Sequence, residues 1–334
     1  MGIYLMDCTL RDGGYINDWN FGVNVISQML EKLQDASVEF VEVGFLTRQK
    51  HVKDQSLYKD YEEIRTVLPQ NKKKTKFVAM VNCSEFDATM LGPHKEDCSL
   101  FGIRIAFHKH QMKEAVILGK QILQSGYKLF FQPMCTDLYS NKELQELMGA
   151  MNQIKPYAFY IVDSFGTMTE KVVEHLAILS DKILDKDIML GFHAHDNQQL
   201  AYSNALKLIN MSLKREIIID ATISGIGRGA GNLNMELIIS ELNQKNQKYD
   251  LKVILEIYDN YISALQSQYS WGYSIPFLVT AKLKCHPDYA NYLLNKGMTS
   301  SNSIMEMLIR IDESYKGVYS KKHIEKIYSE YIKN

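Results

Sequence analysis

The chain has 334 residues, 46% of them hydrophobic and 23% charged, ordinary values for a globular protein able to bury a large core. Lys plus Arg number 38 against 39 for Asp plus Glu, so the net charge is -1 and the basic excess of a nucleic-acid or membrane-surface binder is absent. The five cysteines, Cys8, Cys83, Cys98, Cys135 and Cys285, show no Cys-x-x-Cys spacing. Neither a disulfide framework nor a thiolate zinc site is expected, and a reducing cytoplasm is the expected compartment.

In chain order, the first apolar run, residues 3–6, ends at Asp7 and is too short for a signal peptide. No later run approaches the roughly 20 apolar residues of a membrane helix. Eight short runs rich in Val, Ile, Phe or Tyr read as buried parallel strands: residues 3–8, 40–45, 76–81, 101–106, 128–132, 158–162, 188–193 and 216–221. Amphipathic stretches separate them. Residues 23–36 put Val23, Ile26, Met29, Leu30 and Leu33 on one stripe, residues 138–154 do so with Leu144, Leu147, Met148 and Met151, and Leu176, Ile178, Leu179 and Ile183 mark a third. Strand then helix, eight times over about 240 residues, predicts a (β/α)8 TIM barrel rather than an open doubly wound sheet.

Beyond Asn246 the strands stop. Residues 253–265, 271–283, 287–294, 303–311 and 323–332 read as helices, so the chain divides into a barrel over 1–245 and a helical C-terminal extension over 246–334. The extension could pack on the barrel, cover its mouth or make a homo-oligomer contact. The lysines at 72–74 read as a solvated loop.

In a barrel, chemistry gathers where strands end. The first strand runs into Asp7-Cys8-Thr9-Leu10-Arg11-Asp12-Gly13-Gly14-Tyr15, the second contains Glu42, and the sixth ends in Asp163-Ser164. The seventh ends in His193-Ala194-His195-Asp196-Asn197, and the eighth leads to Gly225-Ile226-Gly227-Arg228-Gly229-Ala230-Gly231-Asn232. Residues two apart on a strand point the same way, so both imidazoles reach one spot in the barrel mouth. With Asp12 as carboxylate they suit Mn, Co, Fe or Zn, or Mg with more oxygen ligands. Taken singly, a His-x-His pair reads as structural, Asp12 as a cap and Arg11 as an ion-pair partner; their convergence on strand ends favours a metal. The spacing Gly225-x-Gly227-x-x-Ala230 also fits a relaxed dinucleotide fingerprint, but only helices follow it, where a βαβ unit is needed.

Thr9-Leu10-Arg11-Asp12-Gly13, Glu42, His193-x-His195 and Gly229-Ala230-Gly231-Asn232 together resemble the signatures of the DRE-TIM metallolyases, over about residues 3–240. That superfamily includes hydroxymethylglutaryl-CoA lyase, the isopropylmalate and homocitrate synthases and 4-hydroxy-2-oxovalerate aldolase. The resemblance implies Asp12, His193 and His195 as metal ligands with Asn232 beside them, Arg11 as catalytic arginine and Glu42 as its acidic partner. It implies a carbon–carbon lyase that works through a pyruvate enolate, the ion polarising the carbonyl and Arg11 stabilising the oxyanion.

Within the superfamily, no cysteine lies between Gly225 and Asn232, unlike the hydroxymethylglutaryl-CoA lyases. Gly14-Tyr15 stands where the acyl-CoA-condensing synthases carry Glu-Gln. The sequence is most similar to the 4-hydroxy-2-oxovalerate aldolases. These imply a 2-oxo acid and an aldehyde as substrates, manganese as the metal, Ser164 and Tyr273 as substrate contacts, and an aldehyde dehydrogenase as partner. An isopropylmalate- or homocitrate-type synthase and an inactive barrel kept as a binding subunit are the alternatives. One position departs from the pattern: Tyr15 stands where the aldolases carry an acid/base histidine, so either Tyr15 takes that role or His108, His110 or Tyr273 does.

Overall fold

The computed structural model describes residues 2–71, 73–94 and 99–333; Cys98 and Lys72 lie outside the described residues. Eight parallel strands form a closed ring: β1 (Ile3–Asp7), β2 (Phe40–Leu46), β3 (Lys76–Asn82), β4 (Leu100–Phe107), β5 (Lys128–Pro133), β6 (Ala158–Asp163), β7 (Met189–Ala194) and β8 (Ile217–Ala221). β8 pairs with β1 from Ile3↔Ile217 to Asp7↔Ala221, and β1 pairs with β2 at Met6↔Phe40, which closes the (β/α)8 barrel. A two-residue strand, Leu57–Tyr58, adds to the outer end of β2.

Each strand serves two layers because its side chains alternate. Leu5, Val41, Val43, Ala79, Phe131, Leu190, Phe192, Ile217 and Ile219 point outward into the main core beneath the helices. Met6, Cys8, Phe40, Val78, Phe130, Ala158, Tyr160, Met189 and Ile218 fill the barrel interior. Strands apolar on both faces are therefore strands with apolar material on both sides.

The helices follow their stripes. Val23–Asp35 buries Ile26, Met29, Leu30 and Leu33. Asn141–Ile154 begins later than its periodicity suggests, because Ser140 caps it: its Oγ accepts from the Glu143 amide, and the Glu143 carboxylate accepts from the Ser140 amide. Glu170–Ile183 buries Val173, Leu176 and Ala177, whereas Ile178, read as part of that stripe, is exposed.

No strand follows β8 among the described residues, so the dinucleotide pattern at 225–230 lacks its βαβ unit. The helices Leu251–Ile257 and Ser263–Gln268, joined through a π-helical turn at Tyr258–Ile262, still pack Ile254, Ile257 and Ile262 into the main core. A second, smaller core assembles further on from Cys285, Tyr289, Leu293, Ile304, Met307, Leu308, Ile311, Ile324 and Ile327. It is built by helices Asp288–Asn295, Ser301–Ile309 and Lys321–Lys333. Trp271 pins the extension to the barrel by donating to the Ser224 carbonyl at 2.9 Å. No described helix is long and apolar enough to cross a membrane.

Candidate active site

The end of β1 turns at once into a helical turn, Thr9–Asp12. Thr9 fixes the turn: its hydroxyl donates to Asp7 Oδ2 at 2.7 Å and accepts from the Ile223 amide at 2.9 Å, tying β1 to the loop after β8. Burial lifts the Asp7 carboxyl to about 7 against the pull of the Thr9 hydrogen bonds. Held this way, the turn aims Arg11 and Asp12 into the barrel mouth, both buried.

His193 lies on β7 and His195 just beyond it, rings 5.1 Å apart. His193 Nδ1 lies 2.9 Å from Asp220 Oδ2, and His195 Nδ1 lies 3.1 Å from the Asp163 carbonyl. A carbonyl can only accept, so His195 Nδ1 carries the proton and Nε2 keeps its lone pair; Asp220 orients His193 the same way. Both Nε2 atoms face Asp12, at 3.1 Å from Oδ2 for His193 and 4.0 Å from Oδ1 for His195. One donor atom from each of the three residues lies within 4.8 Å of the other two.

Asp12 Oδ1, His193 Nε2 and Asn232 Oδ1 are buried without a hydrogen-bond partner. Buried polar atoms left unpaired are costly. Three of them around one point, two imidazole nitrogens with fixed tautomers and a carboxylate, fit a divalent cation. Asn232 reaches the spot because the loop after β8 is stitched to β7: the Asp196 amide donates to the Gly231 carbonyl at 2.9 Å, and the Leu233 amide to the Ala194 carbonyl at 3.2 Å. Gly227 leaves the necessary space, since a Cβ there would lie 2.1 Å from Asn232 Nδ2.

The electrostatics differ among the three residues. Burial alone would raise the Asp12 carboxyl, but Arg11 and His193 outweigh it and hold it well below the usual carboxylate range. Burial pushes His195 down to about 4, keeping it neutral and able to ligate. His193 is raised despite its burial, by Asp12 and Asp220.

Arg11 donates from Nε to Glu42 Oε2 at 2.7 Å and from Nη1 to Asp12 Oδ2 at 2.6 Å, while its buried Nη2 has no partner. Glu42 thus accepts from Arg11, and it has a second partner. Arg104 from β4, fully buried, sits 3.0 Å from Glu42 Oε2, pairs with Asp220, and lies 4.9 Å over the Tyr160 ring. A Cβ at position 191 would fall within 2.3 Å of that ring, so Gly191 lets it cross the interior. Sequence reasoning missed Arg104 and Asp220. The signal existed: each is a lone charge inside an apolar strand, at the interior-facing phase.

These groups open into a cavity of about 350 Å³ lined by Arg11, Asp12, Tyr15, Ser164, His193 and His195 among others. Ser164 uses its hydroxyl to accept from the Cys135 amide at 2.9 Å. Tyr15 packs edge-on to Trp19 and Phe45, with the Arg228 guanidinium 3.8 Å over its ring; burial raises its hydroxyl pKa. His108 lines the cavity and is lowered by burial, while His110 stacks outside it on an exposed turn. Tyr273 does not join them. It is 46% exposed and lies outside the cavity wall. The extension reaches the cavity elsewhere, through His286, Asp288 and 317–319, which no sequence pattern announced.

The model of the HMGL-like family matches residues 2–260. A 4-hydroxy-2-oxovalerate aldolase from Geobacillus genomosp. 3 is 29% identical over 256 residues, 72% of this chain and 71% of that protein. Among solved structures, the N-terminal domain of an aldolase candidate from Bacteroides vulgatus superposes with a TM-score of 0.70 at 28% identity, covering 91% of this chain and 99% of that one. The HMG-CoA lyase of Brucella melitensis shares the fold, with a TM-score of 0.63 at 13% identity over 80% of this chain and 99% of that one. A family match across most of the chain, on the fold that places these residues together, makes this protein an enzyme of the lyase and aldolase kind and a member of the HMGL-like family.

Proposed function

We propose that this protein is a divalent-metal-dependent aldolase of the 4-hydroxy-2-oxovalerate aldolase type, making or breaking the bond between the methyl carbon of pyruvate and an aldehyde carbon. One observation carries the reading: donor atoms of Asp12, His193 and His195 lie within 4.8 Å of one another, those of Asp12 and His193 without a partner, and Arg11, bonded to Asp12, keeps an unpartnered Nη2. An ion held by these three, with Asn232 alongside, would supply Lewis acidity to the 2-oxo acid's carbonyl; manganese is the metal the resemblance implies, with Mg, Co and Zn as alternatives.

The side chains do the rest. Glu42 and Asp12 grip Arg11 from two sides, so Nη2 meets the oxygen on which negative charge develops without reorganising. Tyr15, its pKa raised by burial, keeps its proton and acts as a hydrogen-bond donor at the cavity wall. His108, kept neutral by burial, is the group able to accept the proton from the substrate's methyl carbon. Phe45, Met80, Met134, Val162 and Phe165 form the apolar walls that exclude water. On this reading residues 1–245 carry the chemistry, and 246–334 supply the remaining wall.

Exchange of solvent deuterium into the pyruvate methyl group, measured with manganese present, isolates proton transfer without knowledge of the aldehyde. Wild type is expected to exchange, His108→Gln to slow by roughly 10²–10⁴-fold, and Tyr15→Phe to slow less. A wild-type protein that loads metal and leaves the methyl group protonated overturns the reading.

A further inference from the structure

We propose that the cavity contains a second polar station, an anion subsite centred on Arg228, and that the aldehyde partner therefore carries a carboxylate or a phosphate. The proposal rests on the aldolase reading for the word aldehyde, and on geometry for the rest.

Arg228 comes from the glycine-rich loop after β8 and lines the cavity. It has no role in holding a metal. Its guanidinium carbon lies 3.8 Å from the centroid of the Tyr15 ring, within reach of the aromatic quadrupole. Nη1 donates to His286 Nε2 at 3.1 Å. On its other side the ring meets Asp288, whose amide lies 3.3 Å and whose Oδ2 lies 3.6 Å from His286 Nδ1. Nε is buried and 3.9 Å from Asp288 Oδ2, too far for a hydrogen bond. Nη2 donates no hydrogen bond among the described residues, and a quarter of the side chain (25%) remains open.

The arginine is thus positioned by an aromatic plane, a neutral histidine and a distant carboxylate, none of which uses the whole of its fork. A structural arginine in this protein looks different. Arg215 spends Nε, Nη1 and Nη2 on Asp181 and on four backbone carbonyls, with 1% of its side chain exposed. A planar fork with a free edge inside a concave site is the usual receptor for carboxylate or phosphate.

The rest of the cavity agrees. Its volume falls in the range of sites for drug-sized ligands, roughly 300–1,000 Å³, more than pyruvate and a two-carbon aldehyde fill. Asn82, Ser84, Gln111 and Gln132 add neutral hydrogen-bonding groups along the wall. The carboxylates on the lining are Asp12, committed to the donor set, Glu85 at the exposed rim and Asp288, which partly balances Arg228.

The test pairs charged probes with neutral ones. Aldol addition to pyruvate is compared for succinic semialdehyde against propanal and for glyceraldehyde 3-phosphate against glyceraldehyde. In parallel, butyrate and glycerol 3-phosphate are titrated calorimetrically into protein loaded with manganese and oxalate. Wild type is expected to favour a charged member of one pair, the pair identifying carboxylate or phosphate, and Arg228→Met to lose that preference and bind the anion roughly 10- to 100-fold more weakly. Asp288→Asn keeps the guanidinium and removes a competing carboxylate, so it is expected to bind the anion at least as tightly as wild type. If Arg228 only clamps the extension to the barrel, both variants lower the melting temperature together and neither changes charge preference; that result overturns the subsite. Arg228-dependent anion binding in a protein without pyruvate exchange keeps the subsite and removes the aldolase reading, whereas exchange without charge preference does the reverse.

Discussion

The two polar stations of the cavity are built on opposite principles. The first is made by strand ends. Asp12, His193, Asp220, Arg104, Glu42 and Arg11 form one continuous ionic chain, buried throughout, with most contacts between 2.6 and 3.1 Å. The second is made by a loop and the C-terminal extension. Arg228, His286 and Asp288 stand 3.1 to 3.9 Å apart and are partly open. Rigid elements hold groups to the tolerance that chemistry requires, while loops tolerate substitution. On the proposed reading the reactive end belongs to the barrel, and the end that selects the partner belongs to parts that can vary without disturbing it.

Disrupting the first station is expected to have the largest effect. The double variant His193→Ala/His195→Ala removes two of the three proposed ligands and should lose the divalent ion, expected at about one per chain in wild type, by elemental analysis of the purified protein. Full occupancy in that variant would break the contrast at its root. Arg11→Lys comes next. It keeps a charge but cannot contact Glu42, Asp12 and a developing oxyanion at once, so kcat should fall roughly a hundredfold or more with metal content unchanged. Near-normal turnover would make the arginine structural.

A pH series probes the second station. Burial, and then Arg228, hold His286 down at about 3, far below its value of about 6.5 in an unfolded chain. The neutral ring therefore stabilises the fold above about pH 6.5, and that stability is lost as pH falls from there towards 3. Denaturant unfolding of chelated protein should show roughly 2 kcal/mol less stability at pH 5 than at pH 6.5 from this group, a loss that His286→Gln removes. His195, held at about 4, leaves a residual slope in both proteins. Equal slopes would show that His286 is not kept neutral by its surroundings. The smallest effect is expected at Tyr273, exposed and away from both stations: Tyr273→Phe should change kcat/KM and stability by less than about 0.5 kcal/mol.

The difference between the stations also explains what could be read in advance. The strands were legible because each is apolar on both faces and short, and the ring follows from eight of them. Asp12, His193 and His195 were legible because strand alternation fixes where such residues point. Arg104 and Asp220 went unread although they sit in the same alternation, because a single charge in an apolar run looks like a strand's end rather than its centre. Tyr273 was misplaced, and His286 and Asp288 were missed, for one reason: no periodicity relates the extension to the barrel. Where it docks is decided by tertiary contacts such as Trp271 on Ser224 and by a small core of its own.

Glu42 accepts from Arg11 and faces Arg104, and Asp220 links Arg104 onward to His193. Substitutions along this line share partners, so their costs will not add. Removing Glu42 takes one of two carboxylate partners from each of two guanidinium groups at once, and a protein already lacking Arg104 feels that loss less than the wild type does. A replacement ruinous in one background can be tolerated in another. Substitutions along this ionic chain are therefore constrained in their order as well as their identity, and related sequences should differ there in coordinated sets rather than one position at a time.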